Sequence, residues 1–128
     1  MTVKQWLMNA KDSLINYEFM EAIYRFYKIE LDEMAAAIFS YSYNGFRLEA
    51  DSFVSVLSLD EILLSEDCIS RDFGTKKILP LIDLADGNYI CYFSDLFVWG
   101  CYNIVEQTGY SRFSRMEDVL VSIGLLSN

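Results

Sequence analysis

The residues in this chain whose types could do chemistry are three thiols, Cys68, Cys91 and Cys101, and one closely spaced carboxylate pair, Asp83 and Asp86. A cysteine nucleophile acts as its thiolate, which needs a neighbouring cation, a helix N-terminus or a metal. Cys91 and Cys101 stand in the apolar runs "NYICYF" and "LFVWGCYNIV" with no Lys or Arg beside them, and read as small buried hydrophobes. Cys68 lies among Glu66, Asp67 and Arg71, where adjacent carboxylates disfavour a thiolate. No two cysteines have C-x-x-C spacing, so neither a zinc knuckle nor a dithiol redox motif is present. Asp83 and Asp86 lack the D-x-D-x-D-G pattern of a calcium loop, and Asp86-Gly87 reads as a turn. Histidine is absent from all 128 residues, which removes Ser-His-Asp and Cys-His pairs and the usual general base near neutral pH. The glycines are scattered and form no phosphate cradle. These residues predict no enzyme, no metal site and no cofactor.

Charge narrows the partners. Ten basic residues against nineteen acidic ones give a net charge of −9, and the signs are segregated. Glu49, Asp51, Asp60, Glu61, Glu66 and Asp67 lie between Arg47 and Arg71 with no cation among them. Asp83, Asp86, Asp95 and Glu106 lie between Lys77 and Arg112 in the same way. Binding a phosphate backbone requires Lys and Arg to release its counterions, so no nucleic acid is expected as a direct ligand. Anionic membrane surfaces are disfavoured on the same ground. A basic protein partner is allowed; acidity that merely keeps the chain soluble is the plainer reading.

The elements that must position these residues follow from periodicity. At 53% hydrophobic and 16% aromatic content the chain can build a core, and its length suits one domain, residues 1–128. Val3, Trp6, Leu7, Ala10 and Leu14 form a helical stripe, and Phe19, Ile23 and Phe26, with Tyr27 beside them, form another; one long helix or two joined near Asn16 would serve. A further helix runs from Leu31 to Tyr41, with Asp32 and Glu33 at its positive end and Asn44-Gly45 as its stop. Phe53–Leu57 is a β-rich run, and Ser58-x-x-Glu61 is a capping box that starts a short helix through Leu64. Residues 65–75 read as a polar connection.

Ile78–Ile82 and Asn88–Phe93 read as strands joined by a loop over Asp83–Gly87, with Pro80 facing away from the ladder or at a bulge. Leu96–Val105 follows after a turn near Ser94-Asp95. A turn at Gln107–Gly109 leads to a short run at Tyr110–Phe113, and Ser114-x-x-Glu117 repeats the capping box before a last helix. Asn88–Phe93 is apolar on both parities, as a strand covered on both faces is. Trp99, Tyr89, Tyr92, Phe93 and Tyr102 form an aromatic band that packs a core, or offers anchors such as Trp99 to a partner if one face is open. The fold class expected is α+β: a single domain with a mixed but mostly antiparallel sheet of about 4–6 strands, N-terminal helices and a C-terminal helix packed against it. The start "MTVKQWLMNAKDSLIN" has only broken apolar patches, and no run approaches the roughly 18 apolar residues of a membrane span. With an odd number of cysteines, this predicts a cytoplasmic protein.

The order of these motifs resembles the SUKH superfamily of bacterial immunity proteins, relatives of a fungal cell-wall-synthesis regulator. The resemblance is carried by Tyr27–Leu31, Tyr43-Asn44-Gly45, Ser58–Leu63, Ile78–Ile82, Gly87–Cys91 and Phe113–Leu120, and spans roughly residues 16–123. Asp32 stands where that family often has Pro, Phe46 where a second Gly often follows, and the L-D-x-G step after the strand is missing. The resemblance implies a non-enzymatic domain that binds and neutralises a cognate polymorphic toxin, commonly a nuclease, and the segregated acidity of the chain suits docking on a basic target. On that reading the partner-binding residues are Glu49, Asp51, Asp60, Glu61, Glu66 and Asp67, with Asp83, Asp86 and Asp95 in second place, Trp99 as an anchor, and the chain a monomer or weak dimer. An adaptor or regulatory interaction module of the same fold is the alternative, and a small-molecule or enzymatic role stands third.

Overall fold

A capping box opens the first helix of the computed structural model, which describes residues 2–42, 44–47 and 54–126. Tyr43, Glu49, Asp51 and Phe53 lie outside the described residues. In α1, Val3–Lys11, Thr2 Oγ1 accepts from the Gln5 N–H and Gln5 Oε1 from the Thr2 N–H, both at 3.1 Å. The helix buries Trp6, Leu7 and Ala10 and ends at Asp12, so Leu14 falls past the stripe it was expected to extend and is exposed. The N-terminal segment is therefore two helices. Asn16 starts α2, Tyr17–Tyr27: its Oδ1 accepts from the Phe19 N–H at 3.1 Å, and its own N–H donates to Ser40 Oγ.

Helix α2 buries Phe19 and Ile23, but Phe26, expected beside them, is 61% exposed. Tyr27 takes the inward place, its hydroxyl donating to the Ile62 carbonyl at 3.0 Å. Lys28, at φ 59°, ends the helix in the left-handed region. Helix α3, Glu33–Tyr41, is capped by Asp32 and buried from Met34 to Phe39, including Ala35, Ala36 and Ala37. Small residues let neighbours close in around it: α1 packs along it, and Phe39 stacks on Phe19 at 5.0 Å.

Among the described residues the sheet is a six-stranded meander in chain order, and every pairing is antiparallel. Its strands are β1 Phe46–Arg47, β2 Ser55–Val56, β3 Ile78–Ala85, β4 Asn88–Phe93, β5 Val98–Asn103 and β6 Thr108–Phe113. The loop expected over Asp83–Gly87 shrinks to two residues, because β3 continues to Ala85. Asp86 and Gly87 both have positive φ, as a tight hairpin twisted to match its strands requires. Pro80 borders a bulge, with the register shifting between Pro80 and Ile82. The β5–β6 turn occupies residues 104–107, so Thr108 and Gly109, expected within it, belong to β6.

Paired residues share a face, which splits the aromatic band in two. Tyr89, Phe93 and Tyr102 point one way, with Cys91; Tyr92 and Trp99 point the other, with Cys101. The Trp99 side is covered by α7, Met116–Ser122, which packs on β5, β6 and α3. On the Tyr89 side, residues 65–75 are not an unstructured connection. They form two short helical turns, α5 Ser65–Cys68 and α6 Asp72–Thr75, after α4 Leu59–Leu63. From α6, Phe73 reaches Tyr89 edge-on at 5.4 Å and Tyr102 at 6.3 Å. One continuous cluster, from Trp6 to Leu126, fills the space between helices and sheet.

The two Ser-x-x-Glu boxes diverge. Ser58 and Glu61 form theirs, with Ser58 Oγ accepting from the Glu61 N–H at 3.2 Å and Glu61 Oε1 from the Ser58 N–H at 3.0 Å. Ser114 and Glu117 do not: α7 starts after Arg115 without a local side-chain cap. Asp32 Oδ2 instead accepts from the Met116 N–H at 2.8 Å, and Glu117 pairs with Arg115 at 2.8 Å and Lys11 at 3.8 Å. A distant carboxylate has taken the local box's place.

Candidate functional site

The capping box sets Asp60 and Glu61 on the first turn of α4, where negative charge suits the helix dipole. Ile62 is fully buried and pins α4 to the core, leaving Asp60 and Glu61 exposed. The chain turns at Leu64 and re-enters helix at Ser65, presenting Glu66 and Asp67 to solvent. Asp60 to Asp67 therefore form an acidic ridge over the consecutive short helices α4 and α5. The ion pairs among the described residues are Lys11–Glu117, Arg25–Glu21, Lys77–Asp95 and Arg115–Glu117, and none involves the ridge.

Asp83 joins the ridge from the sheet. It is half-buried in β3, opposite Ser55 and Tyr89, and its Oδ1 accepts from the Ala85 N–H at 2.8 Å. Burial pushes the Tyr89 phenol up, and the charges of Asp83, then of Cys91 and Glu61, push it further. Asp83 and Glu61 thus act on one hydroxyl from two elements. Asp86 stands exposed at the tip of the β3–β4 hairpin.

Two residues do not belong to this surface. Asp95 sits at the other end of β4 from Asp86, a strand length of roughly 20 Å away, and its carboxylate is 3.9 Å from Lys77. Trp99 is 2% exposed and meets Tyr92 edge-on at 5.1 Å, so it packs the core and offers no anchor. Glu49 and Asp51 fall outside the described residues.

The thiols are placed for packing. Cys91 pairs with Gly100, and Cys101 pairs with Ile90, on opposite faces of the sheet. Both are fully buried. Burial, with the neighbouring Cys101, holds the Cys91 thiol well above its ordinary range. Cys101 is pushed up to about 11 by burial, against the lowering effect of a hydrogen bond with Tyr110.

No family model, no curated protein and no solved structure matches this chain.

The sheet face bearing Tyr89 also carries cations that the charge pattern did not bring forward. Lys76 Nζ donates to Tyr102 Oη at 2.9 Å, and that hydroxyl donates to Asp72 Oδ2 at 2.9 Å. The bond to Tyr102 raises Lys76 above the usual lysine range. Arg112 lies across Gly109 and over the Phe93 ring, 5.2 Å from its centre. Both cations border a hollow of about 330 Å³ floored by Phe93 and Tyr102.

A second missed feature is aromatic. Tyr17 and Tyr24 are exposed on α2 and line a hollow of about 470 Å³ with Met20, Ile29 and Leu31. Phe26 stands at the edge of a different groove, where α2 meets α5 and α6. The available signal was the outward face of "YEFMEAIYRFY", where aromatics occupy positions a solvated helix gives to charged residues. Among the described residues no helix is long and apolar enough to cross a membrane.

Proposed function

We propose that this protein is a non-enzymatic, cytoplasmic immunity protein of SUKH type that binds and neutralises a basic toxin domain, a nuclease being the best-suited target. The observation that carries the reading is the ridge of Asp60, Glu61, Glu66 and Asp67: four exposed carboxylates on successive helical turns, with no ion pair on any of them among the described residues. A carboxylate ridge without internal partners keeps its field for an incoming charge, which speeds encounter with a basic protein and fixes its orientation. A nuclease active site is lined by the Lys and Arg that hold phosphate, so an acidic ridge docked there competes with the substrate. The SUKH-like order of motifs supports the same reading.

Co-expression with a toxin domain encoded beside this chain tests it. Protection of the cell and a co-purifying complex are expected. Neither binding nor protection would overturn it.

The exposed aromatics of α2 favour one further reading, an adaptor that recruits several partners through an apolar helix face. Capture of unrelated partners by the wild-type chain but not by a Tyr17→Ser/Tyr24→Ser variant, with no protection from any toxin, would select it.

A further inference from the structure

We propose that the groove between α2 and the α5–α6 turns receives an arginine side chain of the partner, a refinement that rests on the acidic-docking reading above. Two adjoining hollows of about 230 and 240 Å³ share Phe26, Tyr27, Phe73, Gly74 and Ile78 as walls. Glu66 lines the first. Its carboxylate rests directly on Gly74, where an added Cβ would fall 2.0 Å from Glu66 Cδ and 2.3 Å from each oxygen. Only glycine at this position lets the charge lie down in the groove.

The carboxylate is unspent. It takes part in none of the described ion pairs, and the Tyr27 hydroxyl beside it donates to the Ile62 carbonyl instead. Its nearness registers on that phenol, which burial pushes up first and the Glu66 charge second. Lys77 borders only the far hollow, and its ammonium is 3.9 Å from Asp95. The groove therefore combines one free negative charge with aromatic walls, and its outermost wall, Phe26, is a large apolar side chain that the core leaves out.

That combination selects a guanidinium. Its plane stacks on aromatic rings while its paired N–H groups meet both oxygens of one carboxylate. A lysine ammonium is a compact, strongly hydrated point charge that gains less from ring faces. The occupant is the side chain of a partner's basic surface, which continues along the ridge of Asp60, Glu61 and Asp67.

The test uses the full-length, ¹⁵N-labelled protein and the blocked tripeptide acetyl-Gly-Arg-Gly-amide, with citrulline and lysine analogues as comparators. Saturable amide shifts at Phe26, Glu66 and Gly74 are expected. Citrulline keeps the shape but not the charge and should bind about tenfold more weakly, as should the arginine peptide to Glu66→Gln. Gly74→Ala should have the same effect by displacing the carboxylate while retaining it. Equal binding of the citrulline peptide, undiminished binding to Glu66→Gln, or shifts that map elsewhere would overturn the proposal. The peptide is not the toxin, so these failures leave the immunity reading to co-expression, and a failure of protection leaves arginine binding separately measurable.

Discussion

Asp32 Oδ2 accepts the backbone N–H of Met116 at 2.8 Å while Asp32 Oδ1 accepts that of Ala35 at 2.9 Å. One carboxylate thereby caps α3, which it precedes, and α7, which begins 84 residues later. Each contact satisfies a helix-start donor that lacks an intrahelical partner, and the second closes the C-terminal helix onto the rest of the domain. Asp32→Ala removes both and should cost about 2–3 kcal/mol, an N-cap plus a charge-assisted hydrogen bond. Asp32→Ser can still cap α3 but is too short to serve α7, and should recover about 1 kcal/mol of that loss. Urea unfolding of the three proteins measures the split; wild-type stability in Asp32→Ser would deny α7 its distant cap.

Asp32 also marks the limit of local sequence reading. Ser58-x-x-Glu61 was legible because the box closes within four residues, whereas nothing near Ser114-x-x-Glu117 shows that a carboxylate from α3 will displace it. Phe26 failed for a related reason. A stripe holding Phe19 and Ile23 can continue at i+3 or i+4, and the acceptor on Ile62 that draws Tyr27 inward belongs to another element. The central strands were readable from apolar runs cut by Asp-Gly and Ser-Asp turns, while α5 and α6, four residues each, are too short to show a 3.6 period. At the site, exposure of Asp60, Glu61, Glu66 and Asp67 followed from the cost of burying unpaired charge. The approach of Asp83 and Glu61 to Tyr89, the Lys77–Asp95 pair and the Phe26–Glu66 groove are tertiary facts.

Charge on the ridge can be separated from its helix. Glu61 both carries charge and closes the α4 cap, so Glu61→Lys would alter structure and field together. Asp60 and Asp67 have no side-chain cap role in α4 and α5, and Asp60→Lys/Asp67→Lys reverses charge with the box intact. Association with a basic toxin domain should slow about tenfold at low ionic strength and lose much of its salt dependence. Stopped-flow mixing at several salt concentrations checks this, and unchanged rates would remove the ridge from the interface.

Two glycines on neighbouring strands should respond differently to a methyl group. At Gly109 an added Cβ meets the mobile end of Arg112, 2.6 Å from Nη2, which can swing away, and the Phe93 ring only at 3.2 Å. At Gly100 it meets the Phe93 ring at 3.0 Å and the Tyr110 carbonyl oxygen at 3.1 Å, inside the sheet. Gly100→Ala should destabilise by about 1–3 kcal/mol, as overpacking does. Gly109→Ala should stay within about 0.5 kcal/mol, as surface changes do. Thermal unfolding ranks the two, and a larger loss at Gly109 would contradict the packing described.

The thiols make a prediction in pH. The Cys101 thiol lies at about 11 in the fold against an ordinary 9.0, so the folded state holds its proton more tightly than the unfolded chain does. A raised thiol contributes stability that is complete below about 9 and drains away as pH climbs through about 11. Cys91, raised by burial in the same direction, deepens the loss. Urea midpoints should accordingly fall across that window, and Cys101→Ala should flatten the fall while introducing a cavity cost that does not depend on pH. Reactivity follows the same geometry. At pH 8 a disulfide reagent should titrate exposed Cys68 promptly, and Cys91 and Cys101 only after unfolding. Prompt modification of three thiols in the native protein would mean that the sheet does not hold these side chains between its covering helices.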